Sequence, residues 1–261
     1  MSRVTTRRST LIVATAAVSL LLAACGNAAG DSGGASTSES TITVAAAASL
    51  TEAFTQIGKE FEATKPGTKV MFNFGSSATL AAQIAEGAPL DVFAAASPAT
   101  MKTVTDVGAA EPPRDFVSNT LEIAVPKGNP GKIASLRDIA DKSKKIAICA
   151  PQVPCGAAAV KVFAAAKITA ATDTLEQDVK AALQKVSSDE VDAALVYKTD
   201  VIAGGEKVAG IEFPEAKQAV NVYPIAAIKG SANPAAAQQF VDHVLSSDGQ
   251  AVLAKAGFAK P

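Results

Sequence analysis

The sequence predicts an α/β fold with mostly parallel sheet, and three observations carry that reading. From Thr41 onward, short β-branched or apolar runs alternate with helical patterns, the order expected of strands joined by crossover helices. The chain of 261 residues is 48% hydrophobic but only 5% aromatic, which supplies a sizeable core closed by small side chains. Several strand ends also run straight into helix starts made of Ser, Thr, Gly and Ala.

The first of these junctions anchors the chain. Residues 41–44 alternate β-branched side chains and predict a strand. Ala45 to Ala48 are small enough for a tight turn. Ser49-Leu50-Thr51-Glu52 then has the form of a capping box, with Ser at the N-cap and Glu three residues on. A strand ending in an uncharged helix start is a ready anion site, because free N–H groups and the helix dipole aim at one spot.

What precedes that strand is read as export machinery. In residues 1–25, Arg3, Arg7 and Arg8 precede an apolar run too short to span a membrane comfortably. The run ends in Leu22-Ala23-Ala24-Cys25-Gly26, which resembles the bacterial lipobox, with Cys25 as the lipidated first residue. Arg7-Arg8 is compatible with twin-arginine export as well as with a plain Sec signal. Residues 26–40 are Gly/Ser/Ala-rich and read as a flexible tether. Formal net charge is −1, and removal of residues 1–25 takes three arginines and no acid, leaving about −4. Without a Lys/Arg block downstream, nucleic acid is discounted as a partner.

The remaining elements follow in order. Residues 50–63 are an amphipathic helix and 69–74 a strand. Gly75-Ser76-Ser77-Ala78-Thr79-Leu80 turns into a helix at 79–86, with Gly87 as its C-cap. A short buried strand is expected at 90–95. Ser97-Pro98 opens another helix with Pro at its first position. Residues 121–125 are a strand, followed by the turn Lys127-Gly128-Asn129-Pro130, and Ser135 to Asp138 is a second capping box. Strands are expected at 145–148, 191–196, 212–213, 219–222 and 223–228. Helices are expected from Ala157, within 174–186 and within 233–256. Three Cys are present. With Cys25 lipidated, Cys149 and Cys155 remain outside the cytoplasm, where a disulfide is the default over two free thiols. The C-x₂-C spacing of a redox pair is absent.

Three junctions share one chemistry: Ala47-Ala48-Ser49-Leu50-Thr51, Gly75-Ser76-Ser77-Ala78-Thr79 and Gln152-Val153-Pro154-Cys155-Gly156. Each follows an expected strand and none carries a charge. Gln177-Asp178-Val179 starts a fourth helix. Taken singly such starts are capping sequences; together, in an α/β chain, they point to ligand binding at the carboxyl ends of strands. Backbone N–H groups and hydroxyls converging on an oxyanion contribute roughly 1.5–3 kcal/mol each, so half a dozen reach micromolar affinity or better. A donor-only site leaves a protonated oxyanion without an acceptor, and therefore favours full dianions over hydrogen phosphate.

These residues carry a family resemblance. Ala45-Ala46-Ala47-Ala48-Ser49-Leu50, Gly75 to Leu80, Glu86-Gly87-Ala88-Pro89-Leu90-Asp91-Val92-Phe93, Val153 to Gly156, and Leu195-Val196-Tyr197 with Asp200 occur in the order seen in bacterial periplasmic molybdate-binding proteins. The likeness covers about residues 41–261. It implies an α/β, two-lobe, periplasmic-binding-protein-like (type II) fold with a hinge of crossing strands. Residues 41–120 plus 223–261 would form one lobe and 121–222 the other. It implies a non-enzymatic, monomeric binding component of an ABC importer, and the lipobox reading of Cys25 would hold it to the outer face of the membrane by lipid alone. That component delivers molybdate or tungstate to a permease and uses no cofactor. Ser49 and Ser77 match the positions that offer hydroxyl and N–H; Ser76 is the alternative to Ser77. Cys155 and Val179 match backbone donors, and Tyr197 matches a phenol from the second lobe. The molybdenum has no direct protein ligand. Cys155 departs from the small residue, such as Ala, common in the family, and a bond to Cys149 would pin its loop. Asp91 reads as a turn residue.

Two rival classes fare worse. A serine hydrolase needs a His, and His243 stands alone in an expected helix at 238–245, with no G-x-S-x-G around any Ser. A ferric-ion site needs several Tyr or carboxylate ligands, and the chain has two Tyr. A binder of another oxyanion such as sulfate is the nearer rival, separated from molybdate by cleft size.

Overall fold

Among the described residues, ten strands form two five-stranded sheets, and helices cover both. In the computed structural model, residues 40–261 are described; the expected signal at 1–25, Cys25 and the tether before Ser40 lie outside them. The first sheet has the order β2-β1-β3-β10-β4, built from β1 Ser40–Ala47, β2 Thr68–Gly75, β3 Val92–Ala94, β4 Arg114–Asn119 and β10 Asn221–Ala227. The second has the order β7-β6-β8-β5-β9, built from β5 Leu121–Pro126, β6 Ile146–Cys149, β7 Thr174–Glu176, β8 Ala193–Tyr197 and β9 Val208–Ile211. The chain therefore crosses between sheets twice, at Thr120 and again between Ile211 and Asn221.

The sheets are mixed rather than mostly parallel. β1 pairs in parallel with β2 and β3, and β6 with β7 and β8. The strands at the crossings, β5 and β10, run antiparallel to both of their neighbours. A strand that enters a sheet from the other lobe arrives without a crossover helix, so nothing holds it parallel.

Eight helices of the described residues fill the faces: α1 Thr51–Thr64, α2 Ser77–Ala85, α3 Pro98–Asp106, α4 Pro154–Ala166, α5 Val179–Ser187, α6 Lys198–Gly204, α7 Pro234–Leu245 and α8 Ser247–Lys255. α1, α7 and α8 close one face of the first sheet, where Phe54 meets Phe116 and Phe240 at ring-centroid distances of 5.9 and 6.0 Å. Leu80, Ile84, Met101 and Val104 of α2 and α3 close the other face. In the second sheet, Val162 of α4 and Val186 of α5 are buried with Ile123, Ile146 and Leu195.

Several local expectations change. Ser49 caps nothing: a 3-10 turn, Ala48–Leu50, leads into α1, and Leu50 replaces Ser49 at its N-cap. Helix α4 begins at Pro154, three residues before Ala157, and α2 begins at Ser77. Residues 212–213 are not a strand; β9 lies just before them, and a 3-10 segment, Pro214–Ala219, follows. β4 and α6 answer to no expected element. By contrast, Ser97 accepts the Thr100 N–H ahead of Pro98, and Gly87 ends α2 at φ +89°. At Ser135, the Asp138 carboxylate accepts the Ser135 N–H at 2.9 Å. Asp91 is structural: its carboxylate accepts from the Thr43 N–H and the Ser231 hydroxyl.

Candidate functional site

The five residues singled out in sequence line one cavity between the two sheets. Ser49 and Ser77 reach it from the carboxyl ends of β1 and β2. Cys155, Val179 and Tyr197 reach it from the ends of β6, β7 and β8. The cavity leaves about 20 Å³ for the centre of a water-sized sphere, little more than one water needs. It suits one compact group and excludes an organic ligand of drug size.

Each residue is placed by its local structure. Ser77 is the first residue of α2, Cys155 the second of α4 and Val179 the first of α5. First-turn N–H groups have no intrahelical acceptor, so all three positions present donors where strand becomes helix. Pro154 fits the first position of α4 because its missing N–H costs nothing there. Gly156 follows because a Cβ would lie 1.9 Å from the Ala150 oxygen; only glycine lets α4 start against the end of β6. Cys149 and Cys155 are joined across that same loop.

The hydroxyls are oriented by what already bonds them. The Ser77 hydroxyl accepts the Ala96 N–H at 3.0 Å, and the Tyr197 oxygen accepts the Asn221 amide at 2.7 Å. Asn221 is held in turn by donating to the Ala96 carbonyl at 2.8 Å. Each oxygen already accepts one bond, which favours turning its own proton elsewhere. Ser49 shares a hydrogen bond of 2.9 Å with the Tyr223 hydroxyl. The Ser76 hydroxyl is buried, lines the cavity and has no hydrogen-bond partner among the described residues. Burial pushes both phenols up, Tyr197 well above its ordinary range, with Tyr223 and Asp200 adding to the rise. Both stay protonated.

Among the described residues no lysine or arginine lines the cavity, and the one charged lining residue, Asp178, turns a carboxylate oxygen to the Ala181 N–H at 2.9 Å as the N-cap of α5. Sequence reasoning missed two residues, Tyr223 and Asn221, and named Asp200 only as part of the Tyr197 motif, with no role. Asp200, at the start of α6, has no exposure and accepts the Tyr197 N–H at 3.2 Å. Burial raises its carboxyl to about 7, opposed chiefly by Lys180. Only Asp200 had a local signal, lying three residues beyond Tyr197; Asn221 and Tyr223 come to the site through a strand crossing.

Comparison with known proteins bears on family and fold. The family model for bacterial extracellular solute-binding protein matches residues 42–259. The chain is 43% identical over 219 residues to the molybdate-binding protein ModA of Mycobacterium bovis, covering 84% of each. In three dimensions it resembles the periplasmic molybdate-binding protein of Azotobacter vinelandii, with TM-score 0.73 and 23% identity over 84% of this chain and 99% of that one. It resembles the sulfate-binding protein SubI of Mycobacterium tuberculosis nearly as well, with TM-score 0.72 and 18% identity over 84% and 86%. At such identities structural likeness establishes the fold alone. The match across almost every described residue does more: the chain belongs to the family of bacterial extracellular solute-binding proteins.

Proposed function

We propose that this chain captures molybdate or tungstate between its lobes and delivers it to the permease of an ABC importer. The observation that carries the reading is a cavity for one compact ion, lined by hydroxyls and helix starts and, among the described residues, by no cation. Ser49, Ser77, Cys155, Val179 and Tyr197 are the proposed contacts, and the ion is cargo, not a resident cofactor. The 43% identity to a protein named for molybdate supports this ligand. The equal structural likeness to a sulfate-binding protein supports neither ligand. In the same reading, residues 41–120 with 223–261 move against 121–222, and a lipid on Cys25 holds a monomer at the membrane.

Neutral donors suit a fully deprotonated dianion. Ser77 and Tyr197 each already accept one hydrogen bond, from Ala96 and Asn221, and the helix-start N–H groups can only donate, so a ligand proton finds few acceptors here. Parallel calorimetric titrations of the mature protein with molybdate, tungstate, sulfate and phosphate test the reading. Micromolar or tighter binding of the first two, with little of the others, is expected. Sulfate binding as strong as molybdate binding would overturn it.

A further inference from the structure

We propose that Lys180 latches the closed cleft: its ammonium grips Glu52 across the two lobes and sets how long the ion stays. The proposal rests on the functional reading above insofar as ion release is what it governs. Lys180 follows Val179 in the first turn of α5, over the second sheet. Glu52 lies in the first turn of α1, over the first. The Lys180 Nζ lies 2.7 and 2.8 Å from the two Glu52 carboxylate oxygens. It also lies 3.5 Å from the Asp200 Oδ1, whose partner oxygen holds the Tyr197 N–H. One ammonium thus ties together the neighbour of a proposed backbone donor, the acid under the proposed phenol donor, and the opposite lobe.

Two further features set this bridge apart. Among the ion pairs of the described residues, it is the one that joins helices on different sheets. The Lys180 side chain is only 25% exposed, so the pair is less screened than an ordinary surface bridge. Asp200 gives Lys180 a reason to stay in place whether or not Glu52 is present. Glu52, half-exposed, loses little when the lobes part. Such a contact is made only on closure and therefore acts on release more than on capture.

Stopped-flow release of molybdate from wild type, Glu52→Gln, Lys180→Met, Lys180→Arg and the Glu52→Gln/Lys180→Met double variant tests the latch. Glu52→Gln is expected to release the ion about 3-fold faster, and Lys180→Arg to stay close to wild type. Release from wild type should quicken with added salt, while release from Glu52→Gln should be nearly salt-independent. Lys180→Met should quicken release less in the Glu52→Gln background than in wild type. Unchanged release in Glu52→Gln, or the same salt dependence in both, overturns the proposal, and so does additivity. Since Lys180→Met strands Asp200 and can harm folding, Glu52→Gln is the deciding variant. Absence of molybdate binding to wild type would instead refute the functional reading. The same double-mutant cycle, read by thermal melting with whichever of tungstate, sulfate or phosphate wild type then binds, decides the latch: coupling keeps it and additivity ends it.

Discussion

At the scale of single residues, the site works by arranging which way protons point. A serine or tyrosine can donate or accept, and an anion site needs only the first. Ala96 and Asn221 bias the choice by donating to Ser77 and Tyr197. Ser77→Ala therefore loses one donor to the ion and leaves the buried Ala96 N–H unpaired. We expect it to weaken molybdate binding about 10- to 100-fold and to cost about 1–3 kcal/mol of stability. Tyr197→Phe should weaken binding similarly. Ser76→Ala should leave stability unchanged, since that hydroxyl has no partner to lose, and should weaken binding less than Ser77→Ala. Calorimetry and melting on the three variants check this; a larger binding loss in Ser76→Ala would move the contact to Ser76. Ser49 shows what local reading misses. Its sequence context is that of a helix cap, yet its hydroxyl bonds Tyr223, 174 residues away. A single sequence holds no local signal for such a pairing.

At the scale of elements, the junction of β6 with α4 is the most constrained part of the site. Pro154 sets the first position of α4, Gly156 lets it approach Ala150, and the Cys149–Cys155 bond closes a span of six residues. A loop of that size contributes about 2 kcal/mol by chain entropy. Cys149→Ala with Cys155→Ala should lower Tm by about 4–8 °C and weaken molybdate binding, because the Cys155 N–H then sits in a looser turn. Melting and titration of the double variant check it, and unchanged affinity would show that the bond serves stability alone. This junction was legible because Pro, Gly and Cys each act locally. So were the strands with continuous apolar runs and the Ser97 and Gly87 helix ends. β4 was not: Phe116 and Val117 are its only large apolar side chains, and it exists because β10 pairs with it and Ala259 bonds Ser118. The antiparallel direction of β5 and β10 was hidden for the same reason, since tertiary pairing and not local propensity decides it.

At the scale of the whole molecule, two lobes meet over a fully buried acid, and that acid makes stability depend on pH. Asp200 has no exposure, and burial raises its carboxyl from 3.8 to about 7, with Lys180 as the main opposing influence. A carboxyl whose folded value lies above its unfolded value favours folding most where both states are protonated, below about pH 4. That contribution is lost as pH rises through about 7, because the folded state must then hold a buried charge that the unfolded chain places in water. The loss across the window is on the order of 4 kcal/mol. Asn at this position keeps an oxygen for the Tyr197 N–H and never ionises. The Tm of wild type minus that of Asp200→Asn should therefore fall steadily between about pH 4 and 7 and level off above. Melting curves of both proteins across that range decide the matter: two parallel Tm profiles would mean that Lys180 keeps Asp200 ionised throughout. The closed cleft would then rest on a permanent charge pair in place of one formed as the pH rises.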